Sequence, residues 1–453
     1  MKIPVLLAVL SVVLHHPAAG VESYDVCVVG GGVAGVAAAL QAGRAGAKTL
    51  LVEQAAMVGG NMTSGGVTWP GLFHAWGRQV IDGCGWELVT NCVAVAGGSL
   101  PDFTRDVGAE HWKQQVRINA PLWVALAEEA LAKAGVEIRY HTAPAAAKTT
   151  DDGWELTLSA TGEALRLKAR VLIDATGNGT LAALCGGRRM RDPAACQPGS
   201  FTYLVNPHAD EAKLDWPKIE QAARAAVKDG RLEPYDMRYG VRFLVHESNV
   251  VLSGFANGPD HGTTIANYVD WADNSTAELR TRTNLRGRAS MLRVFRFLKT
   301  QPGLEQTTLV EMAGEVGVRE TWRVEGEYVL TGDDYASGRV FDDSVCYAFY
   351  PIDMHAAKTG IQPKHLKRGT VATVPLRALV AKGPHNLLVA GRCISTDRPA
   401  NSAVRVQATC MATGQAAGEA AALAAKSGCD VRNVPLDQLR ERLRASGAIV
   451  PLR

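Results

Sequence analysis

A short apolar run, Val26, Cys27, Val28 and Val29, leads straight into Gly30, Gly32 and Gly35 and leaves few folds open to this chain. Such a run ending in glycine reads as a buried strand meeting a tight turn, and Val33 to Arg44 follows as an Ala-rich helix. Gly46 ends that helix, and a second strand, Thr49 to Val52, closes on Glu53. The glycines allow a tight turn and a close approach of backbone to a pyrophosphate, which the helix N-terminus faces. Glu53 stands where a carboxylate accepts hydrogen bonds from both hydroxyls of an adenosine ribose. The spacing therefore predicts a βαβ dinucleotide-binding unit, with Gly30, Gly32, Gly35 and Glu53 as its ligand-facing residues.

With 453 residues and 47% hydrophobic content, the chain is long enough for two or three cores. A net charge of +3 with no long basic run gives no reason to expect a nucleic-acid partner. Arg440, Arg442 and Arg444 read as the solvated face of a terminal helix. The first twenty residues, a lysine, an apolar segment from Ile3 to Leu14, then Ala18 and Gly20, have the order of a secretory signal peptide. The mature protein is accordingly expected to be periplasmic or extracellular, without stable membrane insertion. Nine cysteines include no CxxC pair; Cys84 with Cys92, and Cys185 with Cys196, are candidate disulfides whose connectivity stays open. Neither cysteines nor histidines cluster with metal-ligand spacing, so no metal is expected.

Further along, Gly59, Gly60, Asn61, Ser64, Gly65 and Gly66 form a second glycine-rich loop whose amides can point at a phosphate or a ring edge. Helical periodicity runs from Ala120 to Ala134 and stops at Gly135; Val136 to Tyr140 is strand-like. Trp154 to Leu158 with Leu165 to Ala169 suggests a hairpin, and Val171 to Ile173 is a further strand ending in Asp174 to Gly179. Near the C-terminus a strand from Asn386 to Ala390 meets Gly391 and Arg392, and a small-residue helix is expected from Ser402 to Lys426. Gly414 and Gly418 lie one turn apart there, a spacing that lets another backbone approach.

These blocks together resemble the FAD-dependent oxidoreductase family, related to fumarate reductase flavoprotein subunits and to glutathione-reductase-type folds. The resemblance rests on the glycine fingerprint with Glu53 and on GGNMTSGGV, FHAWGRQVIDG, ATGNG, GVRETWRVEGEYVLTGDD, YPIDMH and LLVAGRCISTDRPANSAVRVQATCMATGQAAGEAAAL. It implies an α/β protein: a Rossmann-like FAD-binding domain, a parallel sheet with helices, built from discontinuous segments, plus an inserted mixed α+β substrate domain. The expected boundaries are 1–20 for the leader, 21–199 and 371–430 for the FAD domain, 200–370 for the substrate domain and 431–453 for a helical tail. It also implies FAD as cofactor, with Gly60, Asn61 and Ser64 near the ribityl chain or flavin. Gly177 would stand by the pyrophosphate, Gly391 by the ribityl phosphate, and the amides near Arg405 and Val406 would face the flavin pyrimidine edge. The family's adenine bonds to backbone just past the strand Val136 to Tyr140. Here that position is Pro144, which has no N–H, so the donor passes to a neighbour such as Ala145.

For chemistry at the ring the candidates are His355 as base, Asp353 to orient it, Arg392 and Arg78 to clamp a carboxylate, and His74. Arg319, Glu320 and Arg323 read as a salt-bridge array in the substrate domain. There is no second GxGxxG followed by an acid, so an NAD(P)H site is not expected. The electron acceptor stays open among oxygen, a quinone, a small protein or a second substrate. The leading expectation is an exported enzyme moving a hydride between flavin N5 and a small organic substrate, with a carbohydrate-derived alcohol or acid in view. A flavin-dependent lyase or isomerase without net redox turnover, and a non-catalytic electron carrier, are the alternatives.

Overall fold

The computed structural model describes residues 21–105, 107, 110–209, 213–234, 236, 263–269, 273–356 and 360–452, so the expected leader, 1–20, lies outside the described residues. The fingerprint folds as β1 (Glu22–Val29), α1 (Val33–Arg44) and β2 (Thr49–Val52), with Val26 opposite Thr49 in a parallel pair. A small hairpin, β3 (His74–Ala75) and β4 (Arg78–Gln79), turns on Trp76 and Gly77. Their φ values of 54° and 76° are the two positive angles that a type I′ turn needs.

Two helices follow, α2 (Cys84–Val95) and α3 (Ala120–Lys133), the latter capped by Asn119 Oδ1, which accepts from Leu122 N at 3.1 Å. Next come β5 (Glu137–Arg139), β6 (Thr142–Thr150), β7 (Gly153–Ala160) and β8 (Glu163–Asp174). The apolar runs Leu165 to Ala169 and Val171 to Ile173, separate strands by sequence, are one continuous β8. Periodicity hides this because the strand changes partner midway. Its first part pairs antiparallel with β7, and from Leu167 onward it runs parallel to β1, so its outer half alternates while its inner half is buried on both faces. A short helix, α4 (Thr180–Leu184), leaves the strand end.

After α4 come β9 (Arg189–Met190), β10 (Ser200–Asn206), α5 (Trp216–Lys228), β11 (Thr263–Tyr268), α6 (Ala277–Leu298), β12 (Thr308–Met312) and β13 (Arg323–Val324). β10 lies between β11 and β12, antiparallel to both. Phe201, Tyr203, Ile219, Val294, Phe297 and Val318 share a hydrophobic cluster of their own. Beyond β13, α7 (Gly332–Ser337), β14 (Ser344–Ala348), β15 (Ile352–Ala356), β16 (Gly360–Lys364) and β17 (Ala372–Pro375) follow. Val324, Tyr335, Val345 and Ile352 from this stretch pack into the larger cluster built around β1 and α1.

The chain then returns to the first sheet through β18 (Leu387–Val389), which lies parallel to the end of β8, giving the parallel path β5-β2-β1-β8-β18 with the β6-β7 hairpin on the outer part of β8. The long C-terminal helix expected from Ser402 is two helices, α8 (Arg398–Val404) and α9 (Gln407–Ser427). They are separated at Arg405 and Val406, where Val406 is extended (φ −66°, ψ 140°). Asp397 Oδ1 caps α8 by accepting from Ala400 N at 2.8 Å, so the helical run has an earlier start and a break inside it. A last helix, α10 (Leu436–Ala445), closes the fold. Arg444 is exposed, as expected by sequence, but Arg440 is buried and Arg442 half-buried, both turned inward. Arg440 donates to the carbonyls of Ser344 and Asp342 at 3.1 and 2.6 Å, and Arg442 pairs with the buried Glu419. Only peptide oxygens and a buried acid, invisible in a local pattern, decide that orientation.

All nine cysteines are free. Cys84 and Cys92 open and close two turns of α2, about 12 Å apart at roughly 1.5 Å rise per residue, outside the reach of about 7 Å that a disulfide allows. Among the described residues no helix is long and apolar enough to cross a membrane.

The glycine pair in α9 is where two backbones meet. A Cβ on Gly414 would lie 2.1 Å from Ala34 O, and one on Gly418 2.2 Å from Ala38 O. Glu419, 1% exposed, completes the seam by accepting from Gln41 Nε2 at 2.6 Å. Gly418→Ala must push α9 off α1, and overpacking of this kind costs about 2 kcal/mol or more. We expect the urea midpoint to fall with little change in its m-value.

Candidate cofactor and substrate cleft

Three strand ends, those of β1, β8 and β18, converge on one cleft, as expected for an open parallel sheet whose ligands sit beyond the carboxyl ends of the strands. Gly30, with φ +104°, makes the first turn; a Cβ there would lie 2.5 Å from Ala175 O. Gly32 faces open space, with nothing within 4 Å of a would-be Cβ. Gly35 does not line the cleft: a Cβ on it would meet Gly30 O at 1.8 Å, so its role is to let α1 sit against the turn. No side chain caps α1 and no acid stands in its first turn, so its leading amides face the cleft beside Val33 and Ala34 without an intramolecular anion.

Glu53 ends β2 with its carboxylate fixed by two amides, Gly31 N to Oε2 at 2.5 Å and Ala55 N to Oε1 at 2.8 Å. Burial pushes its carboxyl up, and those two hydrogen bonds oppose the shift. Thr142, Ala143 and Pro144 form the neighbouring wall; Ala145 does not line it. The ladder between β6 and β7 shifts between Pro144 and Ala146, leaving Ala145 as the extra residue of a bulge beside the proline that cannot donate.

The ATGNG turn is shaped by Asp174, which is 0% exposed and accepts from Thr176 N (3.0 Å), Thr176 Oγ1 (2.7 Å) and Ala182 N (2.8 Å). Gly177, at φ +70°, lines the cleft, and Gly391, at φ +79°, faces it from the end of β18. Gly60 and Ser64 also line it. Asn61 does so with its side chain clasped to Val318, donating from Nδ2 to the Val318 carbonyl at 2.7 Å.

Arg392 shares this wall. Its Nε donates to Gly177 O at 2.9 Å, Nη2 to Asn178 Oδ1 at 2.9 Å and Nη1 to Val318 O at 2.5 Å. Every acceptor it finds among the described residues is a neutral oxygen, and burial pulls its guanidinium down to about 10. With no ion pair among the described residues and Glu315 acting on it only through space, this partly buried cation favours negative charge in the cleft at this point.

Arg319, Arg405 and Gln407 also line the cleft. Gln407 is held by its Nε2 on Val67 O at 2.8 Å, and Ala408 N at the start of α9 is taken by Pro70 O at 2.7 Å. Val406 does not line the cleft, but a Cβ on Gly71 would strike its Cγ1 at 2.1 Å, so it wedges the α8–α9 break against that loop.

His355 and Asp353 are brought together, Nε2 to Oδ2 at 2.6 Å, behind Arg405 rather than on the wall. Burial and the Arg319 charge push His355 down to about 3. Burial alone would raise the Asp353 carboxyl, but the His355 hydrogen bond and the charges of Arg405 and Arg319 hold it below its usual range. His74 and Arg78 sit on the β3-β4 hairpin and do not line the cleft. The His74 ring stacks on Phe103 at 3.8 Å, and Arg78 is exposed. Of the expected array, Glu320 does pair with Arg323 at 2.9 Å, with Arg398 joining at 3.1 Å, whereas Arg319 turns to the Pro198 carbonyl at 2.7 Å and to the cleft.

Over residues 25–443 the chain matches the family described as FAD-dependent oxidoreductase. The chain belongs to that family. FAD is therefore its cofactor. Among curated proteins none matches. Solved structures similar to this flavoprotein include a geranylgeranyl bacteriochlorophyll reductase-like protein from Thermoplasma acidophilum, at 12% identity over 94% of this chain and 83% of that one, TM-score 0.45. Another is p-nitrophenol 4-monooxygenase from Pseudomonas putida DLL-E4, at 14% identity, 94% and 86% coverage and TM-score 0.41. A third is a flavoprotein/dehydrogenase from Cytophaga hutchinsonii, at 13% identity, 94% and 86% coverage and TM-score 0.40.

The cleft fits FAD on its own chemistry. Uncapped amides of α1 and the anion-lacking Arg392 suit the diphosphate, and the fixed Glu53 carboxylate suits the adenosine ribose. Glu53→Ala removes a charged acceptor, worth about 1.5–3 kcal/mol, so we expect FAD affinity to drop roughly tenfold or more, read by flavin fluorescence on dilution, with circular dichroism unchanged.

Stability should also report the buried imidazoles. His355 at about 3 and His74 at about 4 stay neutral in the folded chain when unfolded imidazoles, at about 6.5, already bind a proton. The unfolded state then holds more protons, so stability falls as pH drops from about 6.5 toward 3 and is level above about 7. His355→Asn is expected to flatten the slope of Tm against pH in that window.

Proposed function

We propose that this flavoprotein is an exported oxidoreductase that moves a hydride between flavin N5 and a small organic substrate, a carbohydrate-derived alcohol or acid being the kind in view. The observation that carries the reading is a set of polar side chains on the cleft wall. Arg319, from beside the smaller hydrophobic cluster, lines the cleft together with Arg405 and Gln407 from the α8–α9 break, which supplies polar side chains from two parts of the chain. When bound, FAD supplies the electron-accepting ring. The protein's part is to bind it at Glu53 and Arg392, to orient it through the glycine turns, and to present charged groups to whatever enters beside it.

Export is supported by the order of the first twenty residues, a lysine, an apolar run and small residues at Ala18 and Gly20. An NAD(P)H partner is disfavoured because the sequence holds no second GxGxxG with a following acid. The acceptor is then a different class: oxygen, a quinone, a small protein or a second substrate.

The test is an absorption spectrum of purified residues 21–453, followed anaerobically while pooled alcohols, sugars and carboxylic acids are added. We expect a flavin band near about 450 nm that one pool bleaches without NAD(P)H. Turnover with no bleaching and no need of an acceptor would point to a lyase or isomerase instead. A protein that takes up no flavin would overturn the reading.

A further inference from the structure

The two arginines of the cleft are held very differently. Arg392 places all three guanidinium nitrogens on oxygens at 2.9 Å or less. Arg405, with only 11% of its side chain exposed, is slack: Nη2 reaches Gln197 Oε1 and the Asp353 carbonyl at 3.3 Å each, and the Asp353 carboxylate at 3.8 Å. Its Nε is buried with no hydrogen-bond partner.

A second donor nearby is also unspent. Tyr350 opens the YPIDMH segment; its hydroxyl accepts from Gln115 Nε2 at 3.3 Å, and its own proton meets no acceptor among the described residues. The ring packs toward Gly71, the residue against which Val406 wedges, so Tyr350 stands beside the α8–α9 break that carries Arg405, just behind the cleft wall, and the two groups feel each other's charge. Burial raises the phenol, with the Asp353 charge acting in the same direction, so the group stays a donor.

Local acceptors are already committed. Asp353 Oδ2 takes His355 Nε2, and Gln197 Oε1 takes the His355 amide at 3.0 Å. Gln197 is itself anchored through its amide and Nε2 to Glu320 Oε2 at 3.3 and 3.2 Å, and Glu320 is neutralised by Arg323 and Arg398. What remains is a set of donors around one cation, and the ligand that completes it is an anion with two acceptor oxygens.

We propose that Arg405 and Tyr350 form a subsite for a carboxylate on the substrate, with Asp353 and His355 as positioning residues that aim the guanidinium. This rests on the oxidoreductase reading and narrows its substrate class from alcohols and acids to organic acids. A neutral sugar would leave Arg405 Nε buried and unpaired, so discrimination comes from the site's own unsatisfied donors.

The experiment uses the FAD-loaded chain, titrated with malonate and D-gluconate and, in parallel, with malonamide and D-glucose, while the flavin absorbance is followed. We expect a saturable difference spectrum with the carboxylates and none with the neutral partners. Tyr350→Phe and Arg405→Lys should each raise the apparent Kd about tenfold, with FAD content unchanged in Tyr350→Phe, which carries the test alone if the arginine variant loses flavin or fails to fold. His355→Asn should weaken carboxylate binding less than Arg405→Lys, and equal affinity in all three variants and the wild type would overturn the proposal. Flavin bleached by a neutral alcohol with no response to any carboxylate would overturn the subsite and leave the oxidoreductase reading standing. A chain that holds no FAD would overturn both.

Discussion

The close contact between α1 and α9 is the constraint on which the cleft depends. Two glycines one turn apart let the carbonyls of Ala34 and Ala38 approach a helix nearly four hundred residues later in the chain. No residue with a side chain can stand at either glycine without separating the helices. That approach presses the start of α9 toward the fingerprint turn, so Gly391, Arg405, Gln407 and Cys410 become walls of the same cleft as Gly30 and Glu53. A sheet alone would position only one side of the cofactor; the helix pair supplies the other.

Charge is distributed along the cleft with different degrees of commitment. Glu53 and Asp174 are buried acids whose oxygens are fixed by backbone amides, so they serve as rigid pieces of turn geometry as much as ligands. Arg392 ties the ATGNG turn to Val318, and Asn61 grips the same Val318 backbone from the glycine-rich loop. One residue at the edge of the smaller cluster is therefore held from two sides by the larger, and cofactor-facing groups do the holding. Low-dielectric surroundings make such satisfied contacts strong and leave unsatisfied ones conspicuous.

The local chemistry of the dinucleotide unit was legible in sequence because strand, turn, helix and acid are contiguous. α1 runs from Val33 to Arg44, the span that its small apolar residues indicate. What escaped was decided by distant partners. β8 reads as two strands because its neighbours change halfway along it. The break at Arg405 and Val406 is invisible in a run of small residues, since its causes are the Asp397 cap and a loop near Gly71. Tyr350 lies in a segment that stood out in the sequence, yet only the structure shows its hydroxyl short of an acceptor. His74 sits among aromatics in FHAW, yet the ring it stacks on is Phe103, nearly thirty residues further along the chain.

The α1–α9 seam also sets a timetable. As the chain is made, α1 and the first strands emerge early, but the helix that covers them and the strand β18 that extends their sheet come from its last seventy or so residues, β18 starting at Leu387. Contacts of such long sequence separation form late, because the intervening chain must be ordered before they return any stability. A nascent chain therefore carries the recognition motif for its cofactor without the walls that retain it. On the proposed export route, such a polypeptide stays open enough to be threaded through a translocation pore, and acquires its flavin only where that covering helix comes to rest.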